Sequence, residues 1–154
     1  MNIIISANSF SFILDYKIPI ILKLLEKNKD LIITILVPEK HSKDYQKNNL
    51  KCLEIYKDRI EYNTSIKRGI SPFIILRNAF KIVKLINKNK KSHYDISIVS
   101  HTVSINIATT ISSLFIFKYL KNIVLVVSGF GPIKIRNSIS IQIKGYIYTK
   151  ILRF

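Results

Sequence analysis

The sequence predicts an open, parallel α/β sheet with helices on both faces, on three observations. Short runs dense in isoleucine, leucine and valine alternate along the chain with longer stretches of helical periodicity. These runs are almost continuously apolar, as strands covered on both faces are. The clearest of them, Asp95 to Ser100, stops abruptly in polar residues with His101 at the stop. In an open parallel sheet, ligands bind beyond the carboxyl ends of the strands, so His101 stands where a site is expected. Right-handed crossovers then give the strand order 3-2-1-4-5.

The elements follow in order. Asn2 to Ser6 is the first strand, and Ser6 to Phe12 is a polar and aromatic loop leading into a helix from about Ile13 to Asn28. Ile18, Ile21, Leu22 and Leu25 recur there at helical spacing, and Pro19 bends the helix. Leu31 to Val37, closed by Pro38, is a second buried strand. His41 to Leu50 is polar and weakly helical, and Arg59 to Asn63 makes a short strand at the sheet edge.

Ser71-Pro72 is a helix start, with serine as N-cap and proline at a position where its missing N–H costs nothing. The helix carries Phe73, Leu76, Phe80, Val83 and Ile86 on one stripe and Arg77, Lys81, Lys84 and Lys88 on another, about 120° away. The apolar stripe is expected to pack. The basic ridge reads either as a solvated face or as a contact for anionic lipid or phosphate. A lysine-rich turn from Asn87 to Lys91 precedes the Asp95 strand, and a mostly apolar helix spans about Val103 to Leu120. Asn122 to Ser128 is the fifth strand, ended by Gly129-Phe130-Gly131-Pro132, and an amphipathic segment runs from Ile135 to Phe154.

The 154 residues make one domain, able to bury roughly two thirds of the surface that the unfolded chain exposes. Isoleucine, lysine and asparagine dominate in a manner that fits a nucleotide-composition bias, so composition argues little about function. Charge argues more: 25 Lys and Arg against 9 Asp and Glu give a net charge of +16, a field that attracts phosphates, nucleic acid or an anionic membrane. The single cysteine, Cys52, excludes an intramolecular disulfide framework and reads as a small buried apolar side chain in a reducing compartment. The first residues lack the basic and apolar regions of a signal peptide. Ile96 to Phe117 has no charged residue but is too rich in serine and threonine for a membrane span.

The candidate chemistry is sparse. His101 suits positioning or deprotonating a hydroxyl, because imidazole titrates near neutrality, although a histidine at a strand end also packs without function. Gly129-x-Gly131 lets backbone approach a phosphate or sugar, or simply makes a turn. Asp15, just inside the first helix, is able to reach the crevice, or merely complements a helix N-terminus. Asp95 begins its strand at the wrong end. There is no G-x-G-x-x-G, P-loop or G-x-S-x-G, and His41, His93, His101 and Cys52 have no metal-ligand spacing, so neither metal nor cofactor is expected.

Four motifs occur together and in order: NIIISANSFSFILDYKIPIILKLLEKNKDLIITILVPE, KRGISP, YDISIVSHTVSIN and SGFGPI. They resemble the N-terminal, Rossmann-like domain of glycosyltransferase family 4, the GT-B fold, and above all bacterial transferases of lipid-linked oligosaccharide, capsule or O-antigen units. The corresponding turns there read like R-x-G-x-N-P, H-T-x-x-x-N and G-x-G. The resemblance implies a two-domain enzyme that moves a sugar from a nucleotide-sugar donor with retention and without a catalytic metal. Its N-terminal half would receive a polyprenyl-diphosphate-linked sugar acceptor as a peripheral protein on the cytoplasmic membrane face.

The resemblance also places residues. His101 would be catalytic in the crevice, and the loop carrying Asn8, Ser9 and Phe10 would face acceptor and donor diphosphate. Thr102 and Asn106 would join the substrate site, beside the Asp15 that its position suggests, Gly129 and Gly131 would lend backbone N–H groups, and Arg68 would touch a phosphate or brace the crevice. Arg77, Lys81, Lys84 and Lys88 would face the anionic membrane surface, each adding about 1 kcal/mol close to it. Ser71 replaces the family's asparagine, which keeps the cap but not a side-chain amide. The family's nucleotide-binding half carries paired glutamates in a C-terminal domain, so residues 1–154 are expected to be a truncated acceptor-side part, inactive alone. The alternative is a non-enzymatic basic module docking through the Arg77 to Lys88 ridge on anionic lipid or nucleic acid. Without aromatic residues interleaved as a base-stacking platform, nucleic acid is not expected.

Overall fold

A computed structural model describes residues 1–38, 51–89 and 95–126. Its elements are β1 (Asn2–Ser6), α1 (Phe10–Tyr16), α2 (Ile18–Lys27), β2 (Ile32–Pro38), a 3-10 segment (Lys51–Arg59), β3 (Ile60–Ile66), α3 (Pro72–Asn89), β4 (Ile96–His101), α4 (Val103–Ile116), a 3-10 turn (Phe117–Tyr119) and β5 (Leu120–Val126). The five strands form one sheet in the order β3-β2-β1-β4-β5, every pairing parallel. This is the expected Rossmann-like α/β sheet.

Successive strand residues point to opposite faces, which explains the apolar runs. Ile5, Ile33, Ile35 and Val37 pack with Phe10, Ile13, Ile21 and Leu25 from α1 and α2. Ile4, Leu36, Ile96 and Ile98 pack on the other face with Ala79, Ile82 and Ile86 of α3 and Ile105 and Ala108 of α4.

Several expectations are corrected. The single bent helix is two. The Lys17 N–H donates to the Ile13 carbonyl to close α1, and the Ile21 N–H donates to the Lys17 carbonyl to open α2. Pro19 is the cause: it lacks the N–H that would bond Asp15, and its ring would clash with that carbonyl. Helix α1 begins at Phe10, so the loop after β1 is three residues shorter than expected. β3 continues to Ile66, and α4 stops at Ile116. Cys52 is exposed, not buried.

The largest correction concerns α3. Its buried stripe is Asn78, Ala79, Ile82, Leu85 and Ile86, while Phe73, Leu76 and Phe80 are exposed. Only Ile86 belongs to both the expected and the observed stripe. Ala79 permits close approach to α4, where Ser112 Oγ donates to the Ala79 carbonyl at 3.0 Å, and a partner in the β3–α3 turn satisfies Asn78. Large side chains at 73, 76 and 80 have no such place.

His41, His93, Gly129 and Gly131, the 41–50 segment, the end of the lysine-rich turn and the amphipathic segment from Ile135 lie outside the described residues. Among those described, no helix is long and apolar enough to cross a membrane.

Candidate functional site

The site lies beyond the carboxyl ends of β1 and β4. Ser6 pairs in register with Ser100, so His101 extends one residue past the end of β1. The strand-to-helix turn after His101 is made by Thr102, whose φ of 74° is unusual for a β-branched residue and costs about 1–3 kcal/mol. The Thr102 carbonyl accepts from the Asn106 N–H and starts α4.

Three side-chain atoms here are buried without a hydrogen-bond partner among the described residues: Ser6 Oγ, His101 Nδ1 and Thr102 Oγ1. Buried polar groups ordinarily find partners, so three orphans at one strand end mark a place where a polar ligand would be held. His101 is 1% exposed, and the half-buried Phe12 ring tilts over it at 5.2 Å between centroids. Burial, with Lys17 nearby, pushes the imidazole pKa down from 6.5 to about 4, so His101 is neutral near pH 7. The Lys17 Nζ lies 5.6 Å from the Phe12 centroid, which puts a cation at the rim.

Arg68 comes to the same end from the β3–α3 turn. Its Nε donates to the Asn8 carbonyl at 3.1 Å, joining two stretches that are 60 residues apart in sequence. Asn78 holds that turn: it accepts from the Lys67 N–H through Oδ1 and donates to the Lys67 carbonyl through Nδ2, both at 2.8 Å. Gly69 has φ +141°, and a Cβ there would lie 2.6 Å from Ile74 Cδ1. Ser71 caps α3 as expected, its Oγ accepting from the Ile74 N–H at 3.3 Å. Sequence reasoning missed Asn78. The available signal was an asparagine eleven residues past Lys67, inside a helix and between Arg77 and Ala79.

Other candidates fall elsewhere. Phe10 is in the core, edge-on to Tyr62 at 6.0 Å between centroids, and does not line a loop. Asn8 and Ser9 are half-buried in that loop, and Ser9 Oγ bonds Ser11 Oγ. Asn106 is buried, accepting from Ser100 Oγ at 2.8 Å and donating to the Val126 carbonyl at 3.1 Å. It braces β4, β5 and α4 beneath the site instead of facing a ligand. Asp15 is exposed in the last turn of α1. Asp95 is at the opposite end of the sheet, where Lys121 pairs with it at 2.8 Å and holds its carboxyl below the usual range. On α3, Lys84 and Lys88 are exposed while Arg77 and Lys81 are half-buried. Among the described residues no group of three or more histidine, cysteine or carboxylate side chains is placed to hold a metal ion.

Fold and site together define a Rossmann-like α/β domain with unpartnered polar side chains at its β1/β4 switch point. A solved structure with this fold is the UGT transferase from Siraitia grosvenorii in complex with UDP, matched with a TM-score of 0.59 at 14% identity over 87% of this chain. The chain spans 29% of that transferase's length. No family model and no curated protein matches the sequence. At that identity the likeness establishes a glycosyltransferase-type fold.

Proposed function

We propose that the chain is the acceptor-side part of a retaining, family 4 glycosyltransferase. It would move a hexosyl or N-acetylhexosaminyl group from a nucleotide-sugar donor to a lipid-linked or polysaccharide acceptor at the cytoplasmic membrane face. The observation that carries this reading is the set of orphaned polar atoms of Ser6, His101 and Thr102, rimmed by Lys17 and Arg68, at the switch point of a glycosyltransferase-type fold. The cations suit a diphosphate. The neutral imidazole suits an acceptor hydroxyl, which would donate to its free ring nitrogen. A bound diphosphate would also raise the basicity of His101 by offsetting Lys17, which after burial is the smaller of the two causes of its lowered pKa. The donor-binding half, with its paired carboxylates, belongs to a further domain in this reading.

The test is titration of the full chain with a water-soluble short-chain polyprenyl-diphosphate sugar, followed by NMR. Resonances of Ser6, Arg68 and Thr102 should shift and the His101 pKa should rise. His101→Ala, reconstituted with a donor-binding domain, should lose transfer while still binding the diphosphate. Unshifted resonances at saturating ligand would overturn the proposal.

The non-enzymatic alternative, a basic module on anionic lipid, is favoured by one observation alone, the exposed Lys84 and Lys88 on α3.

A further inference from the structure

Helix α3 turns large apolar side chains to solvent while burying an asparagine and an alanine. Phe73 is 78% exposed, Phe80 73% and Leu76 48%. Ile82, wholly buried, lies about 180° around the helix from Phe73, so Phe73 points straight away from the sheet. From Phe73, Phe80 is about 20° and Leu76 about 60° to one side, while Lys84, Arg77, Lys88 and Lys81 fall about 20° to 80° to the other. An apolar strip and a basic strip therefore run side by side along the outer face. Helix α3 contains no aspartate or glutamate.

Position matters as much as pattern. All strands are parallel, so β3 ends at the same edge of the sheet as Ser6 and His101, and the first turn of α3, with Phe73, begins there. Arg68 spans from that turn to the loop after β1.

We infer that α3 lies in the surface of an anionic bilayer, with Phe73, Leu76 and Phe80 among the acyl chains and the exposed Lys84 and Lys88 on lipid phosphates, beside the half-buried Arg77 and Lys81. Charge complementarity selects the occupant: a strip of three apolar side chains bordered by the exposed Lys84 and Lys88, the half-buried Arg77 and Lys81 and no anion of the helix fits a negatively charged lipid surface better than a protein of ordinary mixed charge. The lipid-linked part of the inference rests on the proposed function, because such a bilayer would present a membrane-tethered acceptor at the crevice edge. The insertion itself rests on α3 alone.

The experiment uses the full chain carrying Phe80→Trp, at an exposed position that tolerates the larger ring, with phosphatidylcholine vesicles with and without phosphatidylglycerol. With phosphatidylglycerol present, the emission should shift blue and be quenched by brominated acyl chains. Phe73→Ser with Phe80→Ser should weaken vesicle binding about tenfold or more, with circular dichroism and Tm unchanged. Unquenched emission overturns the inference. So does binding that survives the double serine change but is lost on Lys84→Glu with Lys88→Glu, which would mean surface electrostatics without insertion. A dimer that the double serine change converts to monomer, without vesicle binding, would assign the face to a second copy. Titration with the soluble diphosphate sugar in the absence of vesicles separates the two proposals, since its failure removes the acceptor reading and leaves the bilayer contact standing.

Discussion

The Asn78 side chain and the Lys67 backbone exchange two hydrogen bonds of 2.8 Å each, so the turn that carries Arg68 to the crevice is fastened to the buried side of α3. A single amide satisfies both polar groups of one residue.

Removing that clamp should show in stability and in binding. Asn78→Leu leaves the Lys67 N–H and carbonyl without their partner and should destabilise by about 2–3 kcal/mol, read by urea denaturation. Asn78→Asp keeps one acceptor but sets a carboxylate against the Lys67 carbonyl, and should cost at least as much near neutral pH. Both should weaken diphosphate-sugar binding measured well below Tm, because Arg68 is then no longer held beside Asn8.

His101 should give the fold a pH dependence of definite sign. Its pKa is about 4 in the folded chain against 6.5 as the ordinary value, so the unfolded chain binds more protons between those limits. Stability from this group is fully present above pH 6.5 and is lost as pH falls through that window, to a total of about 3 kcal/mol. The difference between denaturation midpoints at pH 7 and pH 4.5 should shrink in His101→Phe. An undiminished difference would show that another group is responsible.

Thr102 should trade stability against binding. Glycine adopts positive φ without the penalty a β-branched side chain meets, and Thr102 Oγ1 has no partner to lose among the described residues. Thr102→Gly should therefore raise stability by up to about 1 kcal/mol and lower diphosphate-sugar affinity. A gain in Tm with unchanged affinity would remove Thr102 from the site.

Arg59 closes the end of α2. Its guanidinium donates to the carbonyls of Leu25, Asn28 and Lys29 at 3.0, 2.8 and 2.9 Å, where the helix dipole also favours a cation. Arg59→Ala should lower stability by about 1–2 kcal/mol, and Arg59→Lys should recover only part of it, because an ammonium lacks the planar fork.

What the sequence determined by itself was the sheet and the end of it that matters. Runs such as Ile32 to Val37 and Ile96 to Val99 are apolar but for Thr34 and Ser97, as strands covered on both faces are, and local chemistry at Ser71-Pro72 fixed the start of α3. His101 at a strand end was legible for the same reason. The tertiary structure alone decided which side of α3 is inside, because Asn78 is acceptable in the core only where the Lys67 backbone meets it and Ala79 is useful there only where α4 comes close. It also decided that Phe10 and Asn106 support the site from beneath, and that Arg68 meets Asn8 across 60 residues of chain. Periodicity records how apolar a position is. Whether a polar group there finds a partner depends on elements distant in sequence, and that is settled only when the sheet brings them together.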